Sequence, residues 1–414
     1  MNNSKLTLLN QPSDYAFFII ALLLLFSLSI FKHYQNYTVF THNEITPVEA
    51  MVQNIYEKDE YNVIKFSTDT FTAFTSVSKH KQLQQLDTVK LYLISKQVSF
   101  FEYLKGFYTS NIKLYKLEAI KEKRAFVMQH IHTQHNSSSM KELFGALFLA
   151  LPISKELREV CANYGISHLI AISGFHLGLI SLFLYALLYF PYGYVHQRFF
   201  PFRNRKLDIA LITSVVLLSY LIFTDMVPSL LRAFVMFVLA LIFLRSNIKL
   251  LSYMTLLLTL LLILSVFPEY LFSLALWFSV AGVFYIFLFM QYFSSLPKTV
   301  QFILFNAWIF LAMNPITHAF FGATSFLQLF SPFITVAFTL FYPLVALLHL
   351  IGQGDLLDGV LQWSFSIEPH AYMVMTPWWF LMLYVLVSFA AIKSRTLFMA
   401  LNILMLGFNS WLFY

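Results

Sequence analysis

Cysteine is almost missing from this sequence: Cys161 stands alone in 414 residues. That excludes an internal disulfide framework and a cysteine cage for zinc, and leaves the redox compartment open. Charge is scarce too, at 11% of residues against roughly a quarter in a soluble globular chain. No Gly-rich phosphate-binding loop occurs, so no recognisable means of nucleotide hydrolysis is present and any driving energy must come from outside the chain. What fills the sequence instead is apolar: 59% hydrophobic residues, 47 of them Phe. No soluble fold of this length hides that much apolar surface, so the solvent is a bilayer. A net charge of +7 fits either the positive-inside bias of membrane proteins or a polyanionic partner.

The layout is uneven. Residues 15–31 form one apolar run of spanning length, with Lys5 before it and Lys32 after it. No small-residue cleavage site follows, so 1–31 is read as an uncleaved anchor. Residues 32–141 hold 14 of the 27 Lys and Arg and contain no spanning run, which predicts a water-exposed domain. Its stretches VEAMVQNIY, YNVIKFS, FTAFTSV and VKLYLI alternate or are rich in β-branched and aromatic residues. About five short strands predict a small all-β barrel of the OB-like kind. Such barrels bind single strands with basic grooves and stacked aromatics, roles open here to Lys90, Tyr92, Lys96, Lys113 and Lys116, with Lys105, Tyr108 and Tyr115 beside them. Lysines on β domains are also commonly just solvated, and both readings stay open.

From residue 142 the chain reads as nearly continuous membrane: an α-helical polytopic protein with about ten spans, counting the anchor. The expected spans are 166–190, 207–224, 227–244, 249–267, 271–292, 300–325, 327–351, 376–392 and 396–414. Loops with Arg198, Arg203, Arg205 and Lys206, with Arg245 and Lys249, and with Lys298 alternate with loops carrying Asp225 and Glu269. The positive-inside rule then sets the amino terminus inside and the 32–141 domain outside. It also favours splitting 300–325 into two short helices near Asn314-Pro315, which puts Lys393 and Arg395 inside. The stretch 352–375, with Asp355, Asp358 and Glu368, then lies along the outer interface.

Polar groups inside a span are the best pointers to function, because each must be paired or face water. The densest set lies in YGISHLIAISGFHLGLI (164–180): His168, Ser173, Gly174 and His176. On a straight helix His168, Ile172 and His176 share a face; alternatively Ser173-Gly174 breaks the helix and leaves carbonyls lining a cavity. Arg232 is an intramembrane cation that must face water, a phosphate or a carboxylate such as Asp225.

HLIAISGFHLGLI closely resembles the signature HLLAISGLHVGLI of the ComEC family of competence proteins, inner-membrane DNA channels of natural transformation. MVPSLLRAFVM is similar to that family's Pro-Ser-x-x-Arg-Ala segment, carried here by Pro228, Ser229, Arg232 and Ala233. The resemblance, over about residues 15–350, implies transport of single-stranded DNA across a bacterial inner membrane. It implies a path lined by His168, Ser173, Gly174, His176, Asp225, Ser229 and Arg232, with a periplasmic DNA receptor and a cytosolic helicase as partners and a homo-oligomer as an option. No cofactor, metal or catalytic residue is implied. The family's Gly-Phe-Gln-Leu-Ser-Phe motif matches SLALWF (273–278) only loosely, with Ala275 and Trp277 at the polar positions. The dense His-x-His-x-Asp-His cluster of longer members is missing, so the expectation is a short form lacking the metallo-β-lactamase-like domain.

Two other classes remain. An intramembrane serine protease needs a serine and a histidine within reach, and Ser173 and His176 are three apart; the rhomboid-type Gly two residues before the serine is here Ala171, and that motif's His comes from another helix. A secondary transporter of a small solute also uses broken helices, but the two halves show no convincing repeat.

Overall fold

The computed structural model describes residues 12–81, 83–117, 123–243, 252–367 and 370–414. Of these, 12–130 with 258–274 form one unit, and 131–257 with 275–414 form another.

The first unit begins with α1 (Pro12–Thr41). Its apolar run is exposed on most sides, as a helix facing lipid should be. The helix continues past the expected boundary at residue 31, because Tyr37 and Phe40 reach the core of the sheet that follows. That sheet contains β1 (Ile45–Glu57), β2 (Tyr61–Ser67), β3 (Thr72–Ser78) and β4 (Thr88–Ile94), then, after α2 (Phe100–Lys105), β5 (Phe107–Tyr108) and β6 (Asn111–Lys116). The alternation in VKLYLI sends Val89, Leu91 and Leu93 inward, where each is wholly buried, and leaves Lys90 and Tyr92 half-buried on the other face. Each fully buried Val, Leu or Phe there contributes roughly 1.5–3 kcal/mol.

Strand order is β5-β3-β2-β1-β4-β6. The expected all-β domain needs correction: β3 and β5 are parallel while the other pairs are antiparallel, so the sheet is mixed, and α2 is part of the domain. The physical reason is connectivity. A chain leaving β4 to run parallel to β3 needs a crossover, and α2 supplies it. Ser99 and Glu102 form a capping box at its start, and the Ser99 hydroxyl and N–H hold the Glu102 carboxyl below its usual range. Thr109 and Asn111 then bridge the sheet margins: Thr109 N–H donates to Phe74 O at 2.9 Å, Thr109 Oγ1 to Ile94 O at 2.6 Å, and Asn111 Nδ2 to Thr75 Oγ1 at 2.9 Å. After β6 comes α3 (Lys123–His132).

The second unit is helical: α4 (Ser138–Leu149), α5 (Lys155–Asn163), α6 (Ser167–Ile170), α7 (Gly174–Phe199), α8 (Arg205–Phe223), α9 (Pro228–Phe243), then α10 (Tyr253–Val266), whose second half counts with the first unit, and α11 (Leu274–Phe293) and α12 (Lys298–Thr317). After these come β7 (Ala323–Thr324), α13 (Ser331–Leu350), α14 (Asp358–Phe365), β8 (Tyr372–Met373), α15 (Trp378–Ala391) and α16 (Arg395–Leu412). Among the described residues six helices are long and apolar enough to cross a membrane, starting at residues 16, 174, 205, 274, 298 and 326, with three shorter apolar ones at 228–242, 253–266 and 378–391. That is fewer than the ten expected from hydropathy. Arg245, Lys249 and Glu368 lie outside the described residues.

Two expectations about spans are corrected. The 166–190 span is not one helix; it breaks at 171–173 and α7 runs on to Phe199. The 300–325 stretch is one helix ending at Thr317, with Pro315 in its last turn; the Leu311 carbonyl that the missing N–H leaves free accepts from Asn409 Nδ2 of α16 at 3.0 Å. Beyond it β7 pairs antiparallel with β8, matching Ala323 to Met373 and Thr324 to Tyr372. The 3₁₀ turn at 326–330, α13 and the returning segment 351–367 therefore belong to an out-and-back arm whose two ends, β7 and β8, meet. α11, α12, α15 and α16 pack as a bundle stitched by polar side chains: Tyr285 to Ser388 at 2.9 Å, Trp308 Nε1 to Asn402 Oδ1 at 2.8 Å, and Asn314 Nδ2 to Asn409 Oδ1 at 2.6 Å. Between helices in lipid such bonds supply association that the hydrophobic effect does not.

Candidate functional site

The broken helix at 171–173 is built by local sequence. Gly165, at φ +65°, sits where a Cβ would press within 3.2 Å of Ser331, and Ser331 Oγ donates to Gly165 O at 2.8 Å. After four residues of α6 the chain extends through Ala171, at ψ 118°, to Ser173, which is extended at φ −143° and ψ −178°. Ser173 is the N-cap of α7. Its hydroxyl accepts from Phe175 N–H at 3.3 Å, and its own N–H donates to His176 Nδ1, also at 3.3 Å. His176 thus takes the place that Glu or Gln holds in an ordinary capping box. Because Nδ1 accepts, the ring proton of neutral His176 is on Nε2. That nitrogen is buried without a hydrogen-bond partner, and the ring stands edge-on to Phe338 and Tyr342, with centroids 5.5 and 4.8 Å away.

Helix α9 crosses this N-terminus. Ser229 Oγ donates to the Ile172 carbonyl at 2.6 Å, capturing an acceptor that the break would leave bare. One turn on, Arg232 is 5% exposed; its Nε donates to Ser279 Oγ at 2.8 Å and Nη1 approaches Met236 Sδ at 3.1 Å. Its guanidinium lies over Gly174, where an added Cβ would be 3.0 Å from Nη2 and 3.0 Å from the Ala233 Cβ. A guanidinium beside the first turn of α7 brings a full positive charge to the positive end of a helix dipole.

Of the seven residues expected to share a path, Ser173, Gly174, His176, Ser229 and Arg232 come together here. His168 does not share a helix with them, because the break falls between it and α7; its Nε2 lies 3.3 Å from Thr335 Oγ1 of α13, the helix whose Phe338 and Tyr342 flank His176. Asp225 occupies the turn between α8 and α9, where it and Met226 take left-handed φ values of 54° and 51°. Sequence reasoning missed Ser279, Phe338 and Tyr342. Ser279 carried a signal, because the SLALWF segment lacks its family's polar residues and the next residue is this serine. The Tyr342 contact links residues 166 apart and left none.

In the sheet unit, Lys90 pairs across from Tyr115 and Tyr92 across from Lys113, so cations and rings alternate on one face; Tyr92 and Tyr115 lie edge to face at 6.2 Å. Lys116 leaves this set for Asp87 at 2.7 Å, and Lys96 for Glu44 at 3.4 Å. Lys65 was not anticipated. It pairs across from Phe74, which lies 6.4 Å from Tyr56, and burial lowers its pKa. Among the described residues no group of three or more His, Cys, Asp or Glu side chains could hold a metal ion.

The model of the family described as Competence protein matches residues 151–413, the stretch that contains the break, Arg232 and the bundle. No curated protein and no solved structure matches the chain.

Proposed function

Since the chain belongs to the Competence protein family, whose role is in DNA uptake during competence, we propose that it conducts single-stranded DNA across the inner membrane of a bacterium during natural transformation. One observation carries this reading: the buried Arg232 guanidinium converges with the N-terminus of α7 at Gly174, and its donors go to a hydroxyl and a thioether. Two positive sources at one place complement a phosphodiester, which brings one negative charge per nucleotide. Contacts with only a few donors also suit a path, since a strand must be bound weakly enough to move on.

The sheet unit supports the same reading as a reception surface. Thr109 and Asn111 draw β3 and β4 towards one strand-like segment, an OB-like closure, and the Lys90, Tyr92, Lys113 and Tyr115 face offers charge and rings together. In this reading the amino terminus is cytoplasmic, the sheet unit is periplasmic, and a periplasmic DNA receptor and a cytosolic helicase deliver and pull the strand.

The protease reading fits less well. Ser173 Oγ is engaged as a helix cap, its 3.4 Å approach to His176 is to the nitrogen that already accepts Ser173 N–H, and Nε2 has no group to orient it. A small-solute transporter would share the broken helix. Transformation frequency in cells carrying Arg232→Ala, with membrane levels of the protein and arrival of labelled DNA at the cell surface followed together, tests the proposal. Loss of transformation by more than tenfold with both other readouts intact supports it; unchanged transformation in a clean deletion overturns it.

A further inference from the structure

A second buried polar cluster lies away from Ser173. His135 Nδ1 is 3.0 and 2.9 Å from the two carboxylate oxygens of Asp358, His135 Nε2 is 2.9 Å from His349 Nε2, and His349 Nδ1 is 2.7 Å from Val345 O. Each of the three residues is less than a tenth exposed, and Phe144 stacks on the His135 ring at 4.7 Å. The arm closes over them: Gly354 N–H donates to Gln134 Oε1 at 2.8 Å, and a Cβ on Gly354 would meet His349 Nε2 at 2.8 Å.

Donors and acceptors in this chain can be counted. A carbonyl only accepts, so His349 Nδ1 carries the hydrogen, and neutral His349 presents a bare Nε2 to His135. His135 must therefore donate from Nε2. Its Nδ1 faces a carboxylate, and without a second proton two acceptors would oppose each other. The closed chain thus holds one proton more than a carboxylate and two neutral imidazoles. A buried charged pair of this kind seldom stabilises a fold more than an apolar replacement would, so stability alone does not explain it.

We propose that Asp358, His135 and His349 form a proton-dependent latch that fastens the returning segment 351–367, and that loss of the shared proton releases it. The latch reaches the candidate path through rings: His349 to Phe148 at 5.0 Å, Phe148 to Tyr342 at 5.9 Å, and Tyr342 to His176 at 4.8 Å. Only this last connection rests on the DNA-channel reading. Other titratable neighbours are His132, held below its usual range by burial and by Lys141 and His135, Lys141 itself, which opposes the imidazolium, and exposed Asp355 one turn before Asp358, which favours it.

Cys161 reports on the latch without any added label site. It is wholly buried one turn before Tyr164, whose hydroxyl donates to Ser364 O in the arm at 2.5 Å, and burial pushes its thiol up to about 12. Maleimide labelling of Cys161 in the full-length protein in membranes is compared between wild type and Asp358→Asn from about pH 6 to about pH 8.5. An Asn amide donates to Nδ1 of a neutral His135, so the variant closes the chain with no extra proton. The wild-type rate, divided by that of Asp358→Asn, should rise roughly tenfold per pH unit through the transition. Asp358→Ala and Gly354→Ala should label fast throughout. A pH-independent ratio, or Asp358→Ala labelling as slowly as wild type, overturns the latch. None of these readouts involves DNA, so the outcome is separate from that of the channel proposal.

Discussion

The guanidinium of Arg232 rests on Gly174 so closely that one methyl group there would stand 3.0 Å from Nη2. Glycine at this place is a packing requirement of the cation, since the same methyl would also meet Ala233 at 3.0 Å on a backbone that cannot swing aside. Gly174→Ala should therefore displace Arg232, cost about 1–3 kcal/mol of stability, and reduce transformation at unchanged membrane levels. Gly178→Ala, one turn on in α7 with open space around it, is the matched control and should be silent. Equal effects of the two substitutions would show that the close approach has no functional weight.

The Ser173 and His176 pair makes a different demand. If the pair is a capping box, Ser173→Asp or Ser173→Asn preserves it, whereas Ser173→Ala lowers stability by about 1 kcal/mol through the lost cap. His176→Gln keeps an acceptor in reach of Ser173 N–H and should retain most of the function that His176→Leu loses. A serine nucleophile would behave otherwise: Ser173→Asn and Ser173→Ala would be equally dead. Thermal melting of the purified variants beside transformation frequency separates the two roles.

How much of this could be read from sequence depended on the range of the interaction. The alternation of VKLYLI, the apolar runs of α1, α8 and α11 and the break at Ser173-Gly174 are written in neighbours a few residues apart, and all appear in the structure. The parallel β3–β5 pair and the arm closed by β7 and β8 join segments 34 and 48 residues apart, counted from Ala73 to Phe107 and from Thr324 to Tyr372, and no local period marks them. The candidate site was half legible for the same reason. Ser173, Gly174 and Arg232 sit in recognisable motifs, but Ser279 and Tyr342 reach it only through helix packing. Of the two readings of 164–180, a straight helix with His168 and His176 on one face or a break at Ser173-Gly174, the structure takes the second, because Ser173 and His176 cap a new helix.

On the sheet unit, the alternating face predicts additive, salt-sensitive binding. Tyr92→Ala and Tyr115→Ala should each weaken single-stranded DNA binding by the full protein by about 1–3 kcal/mol if a base stacks there. Lys90→Gln and Lys113→Gln should each reduce the dependence of affinity on salt by roughly 0.7 in the logarithmic slope. Lys116, held by Asp87, should contribute less than Lys113. Titration of a fluorescent oligonucleotide at several salt concentrations decides it; loss of stacking energy with an unchanged slope would assign the rings to DNA and leave the lysines to solvent.

The paired ends of the arm fix where the last basic loop lies. α12 begins at Lys298 and ends at Thr317; β7 and β8 then bring the chain back to that same end before α15 starts at Trp378. α15 must accordingly return to the level where α12 began, and contacts there agree: Gln291 Nε2 donates to Ile392 O at 2.9 Å and Tyr292 OH to Ala391 O at 2.6 Å. Lys393 and Arg395 thus share a side with Lys298. The positive-inside rule asked for this placement by splitting 300–325 into two helices, whereas the geometry reaches it with one helix and an arm that returns to the end it left. Single cysteines at Lys298 and Arg395 should show the same protection from a membrane-impermeant maleimide, and one at Phe321, near the opposite end, should show the reverse. Opposite labelling of the first two would mean that an odd number of crossings separates them, as when α13 spans the bilayer alone between α12 and α15.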